Sequence, residues 1–313
     1  MATSLTSHRP LLAISLKLSA IFLFVSMAAI VKATADLVPP GEAVFFRSFF
    51  AIPVIFAWLA MRGELPGGLR ADKPLRHVWR GVLGTTAMGL TFTGLGLLPL
   101  PEVTAIGFAT PIFTLILAAV LLGERIRMVR ISAVLIGLVG VTIMLWPRLS
   151  GTGDLQEGAA LGALLILIAT IARAFVQVQI RVLVQSESTA AIVFYFSVIA
   201  SVVSLTSLPF GWTVPPFWAL LLLASTGLFG GIAQILVTAA YRYGPASMLA
   251  PYDYSSMIFA VIVGYVWFGE LPTMVILAGA TLVIAGNALV ILRERQLGLD
   301  RRKARSVTEP KSS

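Results

Sequence analysis

Apolar residues run along the chain in long blocks divided by brief breaks, and each block is close to the length a helix needs to cross a bilayer, about 20 residues. Read between breaks, the blocks cover 11–31, 43–61, 79–98, 103–122, 131–146, 159–183, 190–210, 217–240, 246–268 and 274–292. The pattern predicts an all-α, polytopic membrane protein with ten transmembrane helices. The breaks carry turn chemistry: Pro39-Pro40-Gly41, Pro66-Gly67-Gly68, Pro99-Leu100-Pro101, Ser150-Gly151-Thr152-Gly153, Pro215-Pro216 and Gly244-Pro245. They are short, so successive helices pack antiparallel and no separate soluble domain fits between them. Arg9 before the first block and Ala33-Thr34-Ala35 after it look like a cleaved leader. That block is longer than a leader's apolar core and contains Lys17, so it is expected to persist as the first helix.

Composition agrees with lipid as the main solvent: 58% of the 313 residues are hydrophobic and 12% charged, with a mean hydropathy of +0.94. A net charge of +9 could point to nucleic acid. Position decides otherwise, because 18 of the 23 bases fall in the alternate loops and tail that share one side. These are Arg9, Arg62, Arg70, Lys73, Arg76, Arg80, Arg125, Arg127, Arg130, Arg181, Arg242 and the bases from Arg293 onward. The opposite loops hold Arg148, with Lys32 near the end of the first helix. The positive-inside rule then places both termini in the cytoplasm, and the expected partner is the lipid bilayer of a bacterial-type inner membrane, with no nucleic acid.

The absence of cysteine excludes disulfides, thiolate metal sites and cysteine nucleophiles. The two histidines, His8 and His77, lie in predicted cytoplasmic polar segments, and no carboxylate cluster or Ser-His pairing accompanies them. A membrane-embedded enzyme is the rival class, and it lacks acid-base or metal machinery; no catalytic residue, metal or cofactor is expected. A channel or scaffold is the other rival.

An internal repeat lies beneath the helices. Residues 102–113, Glu-Val-Thr-Ala-Ile-Gly-Phe-Ala-Thr-Pro-Ile-Phe, match residues 248–259, Met-Leu-Ala-Pro-Tyr-Asp-Tyr-Ser-Ser-Met-Ile-Phe, and both run the same length to Gly-Glu, at Gly123-Glu124 and Gly269-Glu270. Bases follow the first Gly-Glu and not the second, so the copies face opposite sides. Five helices per copy is an odd number, which inverts the second half, as in many secondary transporters. The expected domains are a five-helix repeat over 11–147, an inverted one over 158–292, and a basic tail over 293–313.

With Glu42-Ala-Val-Phe-Phe-Arg47 opening helix two, Leu98-Pro-Leu-Pro-Glu-Val-Thr-Ala105 entering helix four, and the two Gly-Glu pairs, the chain resembles the EamA-type ten-helix branch of the drug/metabolite transporter superfamily over nearly its whole length. Within it, Val44 to Ser48 and Ala250 to Tyr254 look most like uptake carriers for S-adenosylmethionine or riboflavin. The resemblance implies transport of a small-molecule substrate by alternating access without ATP, and no phosphate-cradling motif opposes this. Amino-acid and multidrug-type exporters share the fold, which leaves export as the alternative. Where such carriers often have an acidic or amide residue in helix one, this chain has Ser26, Met27 and Ala28.

Charges inside membrane spans are costly and point to function. Arg47 lies about 10 Å into helix two, with Glu42 and Glu102 as candidate acceptors in a gate or coupling site. Helix six offers Arg173, Gln177 and Arg181 at helical spacing, a polar stripe that faces the bundle interior. Asp253, between Tyr252 and Tyr254, matches Arg173 in depth, and Pro251 before it can free backbone carbonyls. Arg173, Gln177, Tyr252, Asp253, Tyr254 and Phe108 are the predicted substrate residues. A desolvated Asp253 would serve a coupling proton, and a homodimer is a further possible partner. Phe92, Phe175 and Phe229 are further ring-stacking candidates. Lys17 is expected to snorkel to the cytoplasmic headgroups, and Lys32, Glu102 and Arg181 to anchor helix ends. The glycine pairs Gly137 with Gly140, and Gly227 with Gly230 and Gly231, predict close helix contacts. Trp79, Trp146, Trp218 and Trp267 predict interface anchors.

Overall fold

A computed structural model describes residues 9–65, 67–71, 73–122, 128–150, 158–183, 187–243, 246–289 and 292. Gly123-Glu124, Arg125, Arg127, Gly151 to Gly153, Gly244-Pro245 and the tail from Arg293 lie outside the described residues, as do the side chains of Arg130, Arg181, Arg242 and Pro251.

The helices are α1 (Pro10–Ala33), α2 (Pro40–Met61), α3 (Pro74–Leu97), α4 (Leu100–Gly107), α5 (Thr110–Leu122), α6 (Met128–Leu149), α7 (Ala159–Leu183), α8 (Thr189–Ser204), α9 (Phe217–Tyr243), α10 (Ala246–Leu249), α11 (Ser255–Phe268) and α12 (Met274–Leu289). Proline opens α1, α2 and α3, a position where its missing N–H costs nothing and its fixed φ suits the helix. Each of the ten predicted spans is helical, which makes the chain a polytopic all-α membrane protein. Seven are both long and apolar enough to cross a membrane. The third, α3, is long but carries Arg80 and a run of glycines and threonines, and α11 and α12 are shorter.

Two spans are broken, where the apolar pattern predicts continuous helix. Span four divides at Phe108 and Ala109 into α4 and α5. Span nine passes from α10 through a 3-10 turn, Ala250–Tyr254, into α11. A periodicity of apolar residues fixes which segment is buried in lipid; it does not report where the hydrogen-bond ladder changes step.

Packing follows small residues. A Cβ on Gly140 would lie 2.6 Å from the Gly279 carbonyl oxygen, and one on Gly286 would lie 2.7 Å from that of Ala133, so α6 and α12 touch backbone to backbone. A Cβ on Gly227 would lie 2.5 Å from the Phe50 Cβ, which brings α9 against α2. The most extensive pairings are α1 with α9 and α3 with α7. Counted as spans, these are one with eight and three with six, pairings that exchange when the halves 1–5 and 6–10 are exchanged. Threonine hydroxyls on α3, α4, α5 and α7 donate to the carbonyl four residues earlier, as Thr85, Thr104, Thr114 and Thr170 do. Such bonds keep polar side chains satisfied without water. Large apolar side chains, including Phe49, Val120, Leu135, Leu221, Ile258 and Ile262, remain exposed around the outside. Trp79, Trp146, Trp218 and Trp267 are more than half exposed and lie near the span ends.

Candidate functional site

A cavity of about 760 Å³ opens among α1, α3, α4, α5, α6, α7, α11 and α12, a volume within the usual range for small-molecule sites. Both helix breaks face it. Gly107, Phe108 and Thr110 come from the first, Asp253 and Tyr254 from the second. The rings of Phe108 and Tyr254 meet edge to face, with centroids 5.3 Å apart. These two residues are 146 positions apart, the same offset that relates the two Gly-Glu pairs. Asn287 of α12 ties the breaks together: its Nδ2 donates to the Phe108 carbonyl at 3.1 Å, and its side chain lies against the Tyr254 hydroxyl.

Arg173 reaches the cavity from α7, its guanidinium against Gly107, where a Cβ would stand 3.8 Å from Nη2. Its Nη2 donates to the Thr170 hydroxyl at 3.3 Å, and its Nε is buried without a hydrogen-bond partner. Gln177, one turn on, accepts from the Thr114 hydroxyl at 3.0 Å. Phe108, Arg173, Gln177, Asp253 and Tyr254 therefore line the same space, together with Phe92. Tyr252 does not line it. At three residues per turn the 3-10 geometry sends the neighbours of Asp253 to opposite sides, so only one tyrosine follows it inward. Phe175 and Phe229 are not among the lining residues either.

Several expectations require correction. Lys17 does not snorkel; it is 4% exposed, and its Nζ lies 2.6 Å from Asp253 Oδ1. The partner of Asp253 is thus a lysine of α1, although Arg173 lines the same cavity. Asp253 is half exposed rather than desolvated. Lys32 and Glu102 are not surface anchors. Lys32 Nζ pairs with Glu270 at 3.0 Å and donates to the Leu95 and Leu98 carbonyls. Glu102 is buried and receives both Nε and Nη2 of Arg148. Glu42 accepts from the Thr213 N–H at 3.0 Å. Both candidate acceptors for Arg47 are therefore engaged elsewhere, and Arg47 turns into a separate small pocket between α2, α3, α8 and α9. His77, expected in a polar segment, is buried in α3 with its Nε2 3.5 Å from Glu187 and its ring beside Tyr195.

The Gly269-Glu270 signature lies beside Leu95 and Leu100 at one end of the cavity. Gly269 has a left-handed φ of 67° and ends α11, with its N–H bonded to the Tyr265 carbonyl and that of Glu270 to the Gly264 carbonyl. The turn delivers Glu270 to the start of α4, where Oε2 accepts from the Leu100 N–H at 2.8 Å while Oε1 holds Lys32. Lys17, Lys32, Glu270 and Asn287 were all legible as polar groups in apolar surroundings. Sequence spacing within one helix gave no means of pairing residues on different helices.

The EamA-like transporter family matches the chain twice, over residues 11–146 and again over 160–292. The chain belongs to the EamA-like transporter family. It is therefore a multi-pass membrane transporter of EamA type, and the pocket lies in the fold of a carrier. Its relatives include the S-adenosylmethionine uptake transporter of Rickettsia bellii, 30% identical over 82% of this chain and 84% of that one. The pseudopaline exporter of Pseudomonas aeruginosa is 28% identical over 84% of this chain and 90% of that one. The riboflavin transporter of Rhizobium johnstonii is 26% identical, covering 82% of each chain. A crystal structure sharing 22% identity superposes with a TM-score of 0.63, over 91% of this chain and 98% of that one, and shows the same fold.

Proposed function

We propose that this EamA-type carrier brings a heterocyclic nutrient bearing an amino-acid group, such as S-adenosylmethionine, across the bacterial inner membrane without ATP. The observation that carries the reading is the cavity in which a fixed guanidinium, a lysine-held carboxylate and a crossed aromatic pair face one space. Arg173 offers paired donors to a substrate carboxylate, and Asp253 offers a negative charge to an ammonium or sulfonium. Phe108 and Tyr254 offer π faces and edges to a flat ring, and Gln177 supplies hydrogen bonds. The S-adenosylmethionine uptake relative supports this substrate class, and the riboflavin transporter supports a heterocyclic substrate.

The two ends of the cavity support alternating access. At one end the Lys32–Glu270 pair and the Glu102–Arg148 pair join helices, so Glu102 acts as part of a gate. At the other, about 22 Å along α1 at 1.5 Å per residue, Asp253 stays half exposed. The bias of bases in the loops favours the cytoplasmic side for the exposed end and both termini, which supports reading the conformation as inward-open with a closed outer gate. The exporter relative favours a second reading, efflux of an amino-acid-like metabolite through the same site.

Proteoliposomes containing the purified chain test both. Labelled S-adenosylmethionine should accumulate without ATP, and excess unlabelled compound should suppress it. A riboflavin arm separates the two nutrient classes. Accumulation no greater than in protein-free liposomes for both compounds, or strict dependence on ATP, overturns the uptake proposal.

A further inference from the structure

The small pocket between α2, α3, α8 and α9 holds two arginines and no acid. Its ten lining residues are drawn from these four helices and include Arg47, Arg80, Phe196, Ser197 and Gln234; none is Asp or Glu. Arg47 and Arg80 are 9% and 8% exposed, and the Nε atom of each is buried with no hydrogen-bond partner. Arg80 Nη1 donates to the Ile192 carbonyl at 3.1 Å. Neither guanidinium has a carboxylate partner among the described residues. What they share is the Phe196 ring, whose centroid lies 4.8 Å from the Arg80 Cζ and 5.7 Å from the Arg47 Cζ.

Two like charges in a water-poor slab require compensation, and a single aromatic face offsets only part of one charge. The backbone makes room for this arrangement. Arg47 lies against Gly230, where a Cβ would stand 3.2 Å from its Nε, and Phe196 lies against Gly84, where a Cβ would stand 2.8 Å from its Cε2. Pocket and guanidiniums thus exist because two glycines leave space for them. The enclosed volume is about 50 Å³, room for a few water-sized spheres at roughly 10–15 Å³ each. That admits a halide with a remnant of its hydration shell and excludes a nucleotide or a lipid headgroup.

We propose that Arg47, Arg80, Ser197 and Gln234 form a binding site for one small monovalent inorganic anion, chloride or a halide-sized equivalent, which offsets one of the two arginine charges, relieves their mutual repulsion and holds α2, α3, α8 and α9 together. The site is separate from the substrate cavity, with which it shares no lining residue.

Thermal unfolding of the purified full chain, with chloride replacing gluconate at fixed ionic strength, tests this without any substrate, so its outcome is independent of the transport reading. Wild-type Tm should be flat below the dissociation constant and rise with the logarithm of chloride above it, by about 2–4 °C per tenfold increase. Bromide and nitrate should act like chloride. Ser197→Asp places a carboxylate in the pocket; in gluconate it should melt above wild type, and it should lose the chloride response. Arg80→Gln should also lose the response. A crystal soaked in bromide should show one anomalous peak between Arg47 and Arg80. A wild-type Tm that does not respond to chloride, an unchanged chloride response in either variant, or no bromide peak at saturating concentration would each overturn the proposal.

Discussion

Arg173 is the side chain whose chemistry bears most directly on substrate choice. Its Nε lacks a partner and its guanidinium faces the cavity beside Gly107, so a substrate carboxylate can complete its hydrogen bonding. Charge-assisted bonds of this kind contribute about 1.5–3 kcal/mol, which sets the scale for a substitution. Arg173→Gln should weaken binding of a carboxylate-bearing substrate about 10–100-fold, while the methyl ester of that substrate binds wild type and variant alike. Competition binding on purified protein reads the difference, and an equal loss for acid and ester would remove Arg173 from carboxylate recognition. Arg173, Gln177, Asp253, Tyr254 and Phe108, singled out in the sequence, line one cavity; a polar residue in an apolar span has few other places to go. Partnerships were less legible. Lys17 meets Asp253 and Lys32 meets Glu270 across more than 230 positions of chain, and helical periodicity relates only neighbours on one helix.

At the scale of elements, the two broken spans put backbone ends and side chains at mid-depth, where an unbroken helix would present only a face. The end of α11 then becomes a latch. Glu270 bonds the first N–H of α4 and the lysine that closes α1, so three helices meet on one carboxylate. Glu270→Gln keeps the shape and removes the charge. In a chain with no native cysteine, a reporter thiol at Thr104, a cavity residue of α4, reads the consequence without background. Loss of one charge-assisted contact at the closed end should raise the rate at which Thr104→Cys reacts with an impermeant thiol reagent added outside by about tenfold or more. An unchanged rate in the Glu270→Gln background would show that the latch does not hold the outer end shut. The Gly-Glu pairs were visible as repeats in the sequence. The capping role of Gly269-Glu270 was not, because it depends on which helix start the turn faces.

For the whole molecule, the arrangement of bases makes a prediction about orientation. Reporter fusions after Glu64 and Arg127 should read cytoplasmic, and fusions after Trp212 and Pro272 external, since the loops on the first side carry most of the bases. A cytoplasmic reading at Pro272 would contradict the inverted second half and with it the inward-open assignment. The span count was legible because lipid imposes a length on every crossing segment. Helix order around the cavity was not, since it follows from glycine contacts such as Gly140 with Gly279 that belong to pairs of helices. One detail of the cavity reaches across this scale. Phe108 and Tyr254 occupy matching positions, 146 residues apart, and meet edge to face, differing by a single oxygen atom. That atom faces Asn287 and makes the edge of one ring polar. A ligand lying across the two rings can tell head from tail, so a scaffold of nearly interchangeable halves acquires a sense of direction from one hydroxyl.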